Sequence, residues 1–214
     1  MRLQIARTPD VPLQRLQAYL GGLYAIAAVS CVDVIHLDRP EAVRRLRAGT
    51  LAFALVHDAG ARAGIASQPL FGGEPLVAAL PLSHPLAHQR ALTPERAGRE
   101  RLLCPSRAAD PPLHDRLGEL LARAGFHFGA ASDALASDPR DLVFAVAQSG
   151  ALTVAPASVW RRVSEFRRLA ACVELEPCVR MPDTVVAWRA AAPPGGLAGV
   201  RAVARGVRGS LAFA

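Results

Sequence analysis

Residues 74–87 read EPLVAALPLSHPLA, a strand's worth of apolar side chains followed by two proline-marked breaks around Ser83 and His84. An apolar strand ending in such punctuation near the middle of 214 residues marks a crossover between two lobes. The rest of the chain can be tested against that division, first by what its composition allows and then segment by segment.

A hydrophobic content of 51% beside 20% charged residues is that of a globular chain long enough to bury its own core. No run of 18 uncharged apolar residues occurs, and the start lacks a charged, apolar and cleavable leader. The expectation is therefore a cytoplasmic chain with no membrane partner. Cys31, Cys104, Cys172 and Cys178 show no ligand spacing, so reduced, mostly buried thiols are expected and no structural metal. The net charge of +7 comes entirely from arginine, since lysine is absent. Without lysine, neither a P-loop nor a Schiff base can form, which excludes P-loop nucleotide hydrolysis and pyridoxal chemistry. The arginine clusters, such as Arg44, Arg45 and Arg47, lack aromatic interleaving or a helix-turn-helix pattern and read as solvated helix faces.

In order, Arg2 to Ala6 predicts a strand, and Leu13, Leu16, Leu20 and Leu23 share one helix face capped by Thr8 or Asp10. Val29 to Leu37 predicts a second strand. Asp38, Pro40 and Glu41 form a helix start, and Gly49 its stop. The continuous apolar run Leu51 to Val56 predicts a strand covered on both faces. This β-α-β-α-β order carries no GxGxxG, so dinucleotide binding is not expected. A short strand near Ile65 to Leu70 and the strand at Pro75 to Leu80 follow.

The second half repeats the grammar. Thr93 to Glu95 starts a short helix, and Arg101 to Cys104 is a strand. After the turn at Ser106 and Arg107, a helix runs from Pro111 to Ala124 with Leu113, Leu117, Leu120 and Leu121 in a stripe. Phe128 to Ser132 is a strand, and Asp138 with Pro139 opens the helix whose body is Leu142 to Gln148. Ala151 to Ala155, Cys172 to Leu175 and Thr184 to Arg189 are further strands. The glycines of the tail from Gly195 interrupt its helical periodicity. Four helix starts thus follow strand ends, where open α/β sheets bind ligands and free N–H groups favour anions. Arg7 and Arg107 are the candidate charge partners.

Several of these segments resemble the effector-binding domain of LysR-type transcriptional regulators. His84, Pro85, Leu86 and Ala87 are similar to that family's His-Pro-Leu pattern at the crossover. LQIARTPDVPLQRLQAYL resembles its opening strand, turn and helix. AVRRLRAGTLAFALV and LVFAVAQSGALTVAPAS are similar to its later helix, glycine and strand units.

The resemblance implies an α/β fold of two Rossmann-like subdomains with a cleft between them, a periplasmic-binding-protein type 2 architecture. Residues 1–81 plus 182–214 would form one subdomain and 82–181 the other. It implies a regulatory domain rather than an enzyme, a small anionic effector and no cofactor. It also implies homodimers or tetramers through helices such as Ala42 to Leu46 and Leu113 to Leu121. DNA would be reached only through an N-terminal winged helix-turn-helix that these residues do not encode. Carried over by position, the ligand site would be Arg7, Thr8, Pro9 and Asp38 in one lobe and Ser106, Arg107 and Asp138 in the other.

Two other classes stay open. A transporter's solute-binding protein shares the two-lobe architecture but needs export. An enzyme needs a constellation that the scattered histidines do not form: HExxH and GxSxG are both absent, and His114 and Asp115 point to different sides of one helix.

Overall fold

The computed structural model describes residues 2–9, 11, 13–58, 60, 63–98, 100, 102–104, 106–130, 145–146, 150–162 and 166–211. The chain divides into two units, one formed by Met1–Gly73 with Asp183–Ala214 and the other by Glu74–Pro182.

The first unit begins with β1 (Arg2–Arg7), α1 (Leu13–Tyr24), β2 (Cys31–His36), α2 (Arg39–Ala48), β3 (Phe53–His57) and β4 (Ile65–Phe71). The second holds β5 (Leu76–Pro81), β6 (Ala91–Leu92), α3 (Pro94–Ala97), β7 (Leu102–Cys104), α4 (Pro111–Arg123) and β8 (Phe128–Ala130). It continues with β9 (Leu152–Pro156), α5 (Ala157–Arg162), α6 (Phe166–Leu169) and β10 (Ala170–Leu175). The chain then returns to the first unit with β11 (Thr184–Arg189) and α7 (Leu197–Leu211).

Among the described residues the first sheet runs β2-β1-β3-β11-β4 and the second β6-β10-β5-β9-β7-β8. β1 lies parallel to both β2 and β3, while β11 is antiparallel to β3 and β4. The first sheet is therefore mixed, and only its β2-β1-β3 part has the all-parallel character read from the sequence. Along β3 the side chains alternate between two cores: Phe53 and Leu55 join Ile5, Leu16, Tyr19 and Leu23, whereas Ala54 and Val56 join Ala42 and Leu46 of α2. Coverage on both faces is why this strand is apolar at every position.

The helix starts follow the expected chemistry. Asp38 accepts the Glu41 N–H at 2.7 Å, Pro40 sits in the first turn, and Gly49 closes α2 at φ 75°. Glu41 also takes Arg45 and Arg44, which hold its carboxyl below the usual range.

Three sequence expectations need correction. The strand at 76–81 belongs to the second sheet, where Leu76 pairs with Pro156 and Val77 with both Ala155 and Glu174. The division therefore falls at Gly73 and Glu74, not after residue 81. The glycine-rich tail is the 15-residue helix α7, because its glycines and that of α1 permit close packing. A Cβ on Gly22 would come within 2.4 Å of Val203, and one on Gly199 within 2.9 Å of Ile26. Finally, of the four thiols only Cys104 is buried, and Cys178 is exposed. The helix start at Asp138 lies outside the described residues.

Candidate functional site

Nine polar or charged side chains are buried among the described residues: five in the first unit and Glu74, Ser106, His114 and Thr153 in the second. The five are Arg7, Thr8, Arg39, His57 and Thr184. All five sit at one edge of the first sheet. Arg7 ends β1, Thr8 follows it, Arg39 opens the helix after β2, His57 ends β3, and Thr184 pairs with His57 from β11. Burying a polar group costs free energy unless partners offset it, so a concentration at one edge calls for a reason.

Arg7 is 5% exposed. Its Nη1 donates to the Val11 carbonyl at 2.8 Å and approaches those of Thr8 and Pro9 at 3.5 Å. Its Nη2 lies against His36 Nε2. A guanidinium carries donors only, so His36 accepts through Nε2. Arg7 thus organises the β1–α1 turn from within. The same turn is tied to its neighbours by Thr8 N–H to the Leu55 carbonyl at 3.2 Å and Leu37 N–H to the Arg7 carbonyl at 3.3 Å. The Thr8 Oγ1 is buried and has no hydrogen-bond partner among the described residues.

The buried charges at this edge are basic, while the carboxylates of Asp38, Asp58 and Asp183 beside it are exposed or only half-buried. Arg7 and Arg39 are buried there beside His57, and no carboxylate of the first unit is buried among the described residues. Asp38 is exposed and its carboxylate is committed to the α2 cap. It positions the helix and adds no attraction for an anion. Pro9 is exposed in the turn.

In the second unit the sequence-derived candidates behave differently. Ser106 is buried, with Oγ accepting the Ala108 N–H at 3.2 Å in the turn that leads to the Asp110 cap of α4. Arg107 is exposed and grips Asp115 with two bonds, Nε to Oδ1 at 2.8 Å and Nη2 to Oδ2 at 2.9 Å. The pairing raises the arginine's pKa and holds the Asp115 carboxyl below its usual range. Asp138 lies outside the described residues.

Buried Glu74 and half-buried His84 are structural. The Glu74 carboxylate accepts the N–H and hydroxyl of Ser158 at 2.8 and 2.9 Å, fixing the start of α5. His84 accepts the Leu86 N–H on Nδ1 at 3.1 Å and meets Glu100 through Nε2 at 3.0 Å, which locks the His-Pro-Leu turn. Burial leaves the Cys104 thiol protonated, with its pKa pushed up to about 12. Among the described residues no group of three or more His, Cys, Asp or Glu side chains could hold a metal.

The structure thus brings together Arg7 and Thr8 from the predicted set, with Arg39, His57 and Thr184 as additions. A sequence signal existed for His57, the polar residue ending a continuous apolar strand. Thr184 is likewise the polar first residue of the apolar strand at 184–189. Arg39 offered none, since an arginine beside a helix cap is ordinarily exposed.

The family model of the LysR substrate binding domain matches residues 1–206. None of the curated proteins matches the chain. Among solved structures it is similar to the reduced OxyR regulatory domain from Pseudomonas aeruginosa, with 17% identity and a TM-score of 0.69, covering 97% of this chain and 96% of that one. It is also similar to full-length CbnR complexed with its target DNA, at 19% identity and a TM-score of 0.74, covering 96% of this chain and 70% of that one. A reduced form of OxyR from N. meningitidis gives 17% identity and a TM-score of 0.66, covering 96% of this chain and 95% of that one. At these identities the likeness is one of fold.

Proposed function

Since the chain belongs to the LysR substrate binding domain family, we propose that it senses a small anionic effector for a transcription regulator, binding it at the carboxyl edge of the first sheet. The observation that carries this is the gathering of all the buried polar side chains described in the first unit at that one edge, with basic groups and no buried carboxylate among them. In open α/β sheets this is where ligands bind.

Each residue has a distinct part in the proposal. Arg7 holds the β1–α1 turn in a binding-ready shape through its carbonyl contacts. Thr8 offers a buried hydroxyl whose hydrogen-bonding capacity the fold leaves unused. Arg39 supplies a buried positive charge that favours an anion over a neutral molecule. In the second unit, Arg107 is already committed to Asp115. The effector acts on the attached DNA-binding part by population shift, through unequal affinity for two arrangements of the regulator. CbnR complexed with its target DNA supports a DNA-directed role, and homodimers or tetramers are the proposed assembly. No described helix is long and apolar enough to cross a membrane.

The test is a thermal-shift screen of the chain against small carboxylates, with hits measured by calorimetry on Thr8→Val. This nearly isosteric change removes the unpaired hydroxyl, so the variant keeps or gains stability while losing roughly tenfold or more in affinity. Unchanged affinity in a folded Thr8→Val protein would overturn the site.

A further inference from the structure

We propose a second small-molecule site in the first unit, at the amino end of β1, shaped for a monocarboxylate with an apolar body. A cavity of about 410 Å³ lies there, within the ~300–1,000 Å³ range of ligand pockets. Leu51, Ala52 and Pro194 line it together with the polar Gln4 and Thr50.

Two arginines reach this cavity, and they differ in what already neutralises them. Arg2 pairs with Asp33 on β2, so its charge is balanced. Arg189, at the end of β11, is half-buried, and its guanidinium has no hydrogen-bond or ion-pair partner among the described residues. Its Nη1 lies over the end of α2, where a Cβ on Gly49 would come within 3.1 Å of it. It donates to none of the last carbonyls of α2 among the described residues, and two of those carbonyls already have donors. Arg45 O takes the Thr50 N–H at 3.1 Å and the Thr50 hydroxyl at 3.4 Å, and Leu46 O takes the Gly49 N–H at 3.1 Å.

One unbalanced guanidinium beside three apolar side chains defines the ligand. Its planar fork matches a carboxylate in two parallel hydrogen bonds. A single unpaired positive charge favours a monoanion over a dianion, and Leu51, Ala52 and Pro194 favour a hydrocarbon body. The site shares no residue with the carboxyl-edge site.

The experiment is an amide chemical-shift titration of the whole chain with phenylacetate, and with phenylacetamide as the uncharged control. Phenylacetate should move the amides of Gly49, Thr50, Leu51 and Ala52, and phenylacetamide should leave them nearly still. Arg189→Gln should weaken the response roughly tenfold. Ala192→Trp, which fills the cavity from its rim with the charge left in place, should do the same, while Thr8→Val should leave it intact. Unmoved amides at millimolar phenylacetate would overturn the proposal, as would an undiminished response in folded Arg189→Gln. If that variant fails to fold, Ala192→Trp decides alone.

Discussion

Arg7 closes β1 and Arg107 lies in the turn after β7, each where a strand feeds a helix, yet they are opposite in physical character. Arg7 is buried and bonded to main-chain carbonyls and His36. Arg107 is exposed and bonded to a carboxylate eight residues on. The first has replaced its water with fixed carbonyl acceptors, and the loss of either side strands a buried group. The second keeps its water, so removing it strands nothing. Residue type is the same and both lie near a strand's carboxyl end; burial separates scaffold from surface.

The largest effect that would break this contrast belongs to Arg7. Arg7→Met should lower unfolding free energy by about 3 kcal/mol, because the buried Val11 carbonyl loses a charged donor. Arg7→Lys should recover little, since an ammonium lacks the planar fork. Urea unfolding checks both, and a cost no greater than that of Arg107→Ala would abolish the distinction.

The same contrast recurs in one dipeptide of α1. Gly22→Ala places a methyl 2.4 Å from Val203 Cγ1 and should cost ~1–3 kcal/mol. Gly21, with nothing within 4 Å of its missing Cβ, should gain up to ~1 kcal/mol as alanine from helix propensity. Melting temperatures should therefore move in opposite directions for neighbouring substitutions. Equal shifts would mean that α7 does not pack on α1 as described.

Thiols sharpen it further. The unfolded Cys104 thiol ionises near 9, whereas burial raises the folded value to about 12. Between those values the unfolded chain sheds a proton that the folded chain keeps, so stability should fall as pH rises, by at most ~1.4 kcal/mol per pH unit. Buried Tyr19, also raised, adds in the same direction at higher pH. Urea midpoints from pH ~8.5 to ~10 should fall in the native protein and flatten in Cys104→Ala. Exposed Cys178 should react with a thiol reagent at once, and Cys104 only on unfolding.

Much of this was legible in the residues. The α2 start at Asp38, Pro40 and Glu41 and the strand at Thr184–Arg189 follow from local chemistry, which does not depend on distant partners. The sheet to which 76–81 belongs was not legible, because an apolar run reads alike whichever neighbours it pairs with. The helix at 197–211 was hidden because glycine counts against a helix until a partner such as Ile26 uses the space. At the candidate site, Arg7 and Thr8 could be placed by a strand end alone. Arg39 and His57 needed burial, a property of the assembled unit.

The smallest expected effect is the most useful control. Arg107 and Asp115 are exposed, so their two hydrogen bonds compete with water and are screened by salt. Arg107 holds the Asp115 carboxyl down, so the pair's contribution is present above the ordinary carboxylate range and lost as pH falls through the lowered value. Arg107→Ala and Asp115→Asn should each barely move the urea midpoint at neutral pH, and 0.5 M salt should erase even that difference. Effector affinity should follow the same order, falling more in Thr8→Val than in Arg107→Ala. The reverse order in calorimetry would overturn the assignment of the binding energy to Thr8.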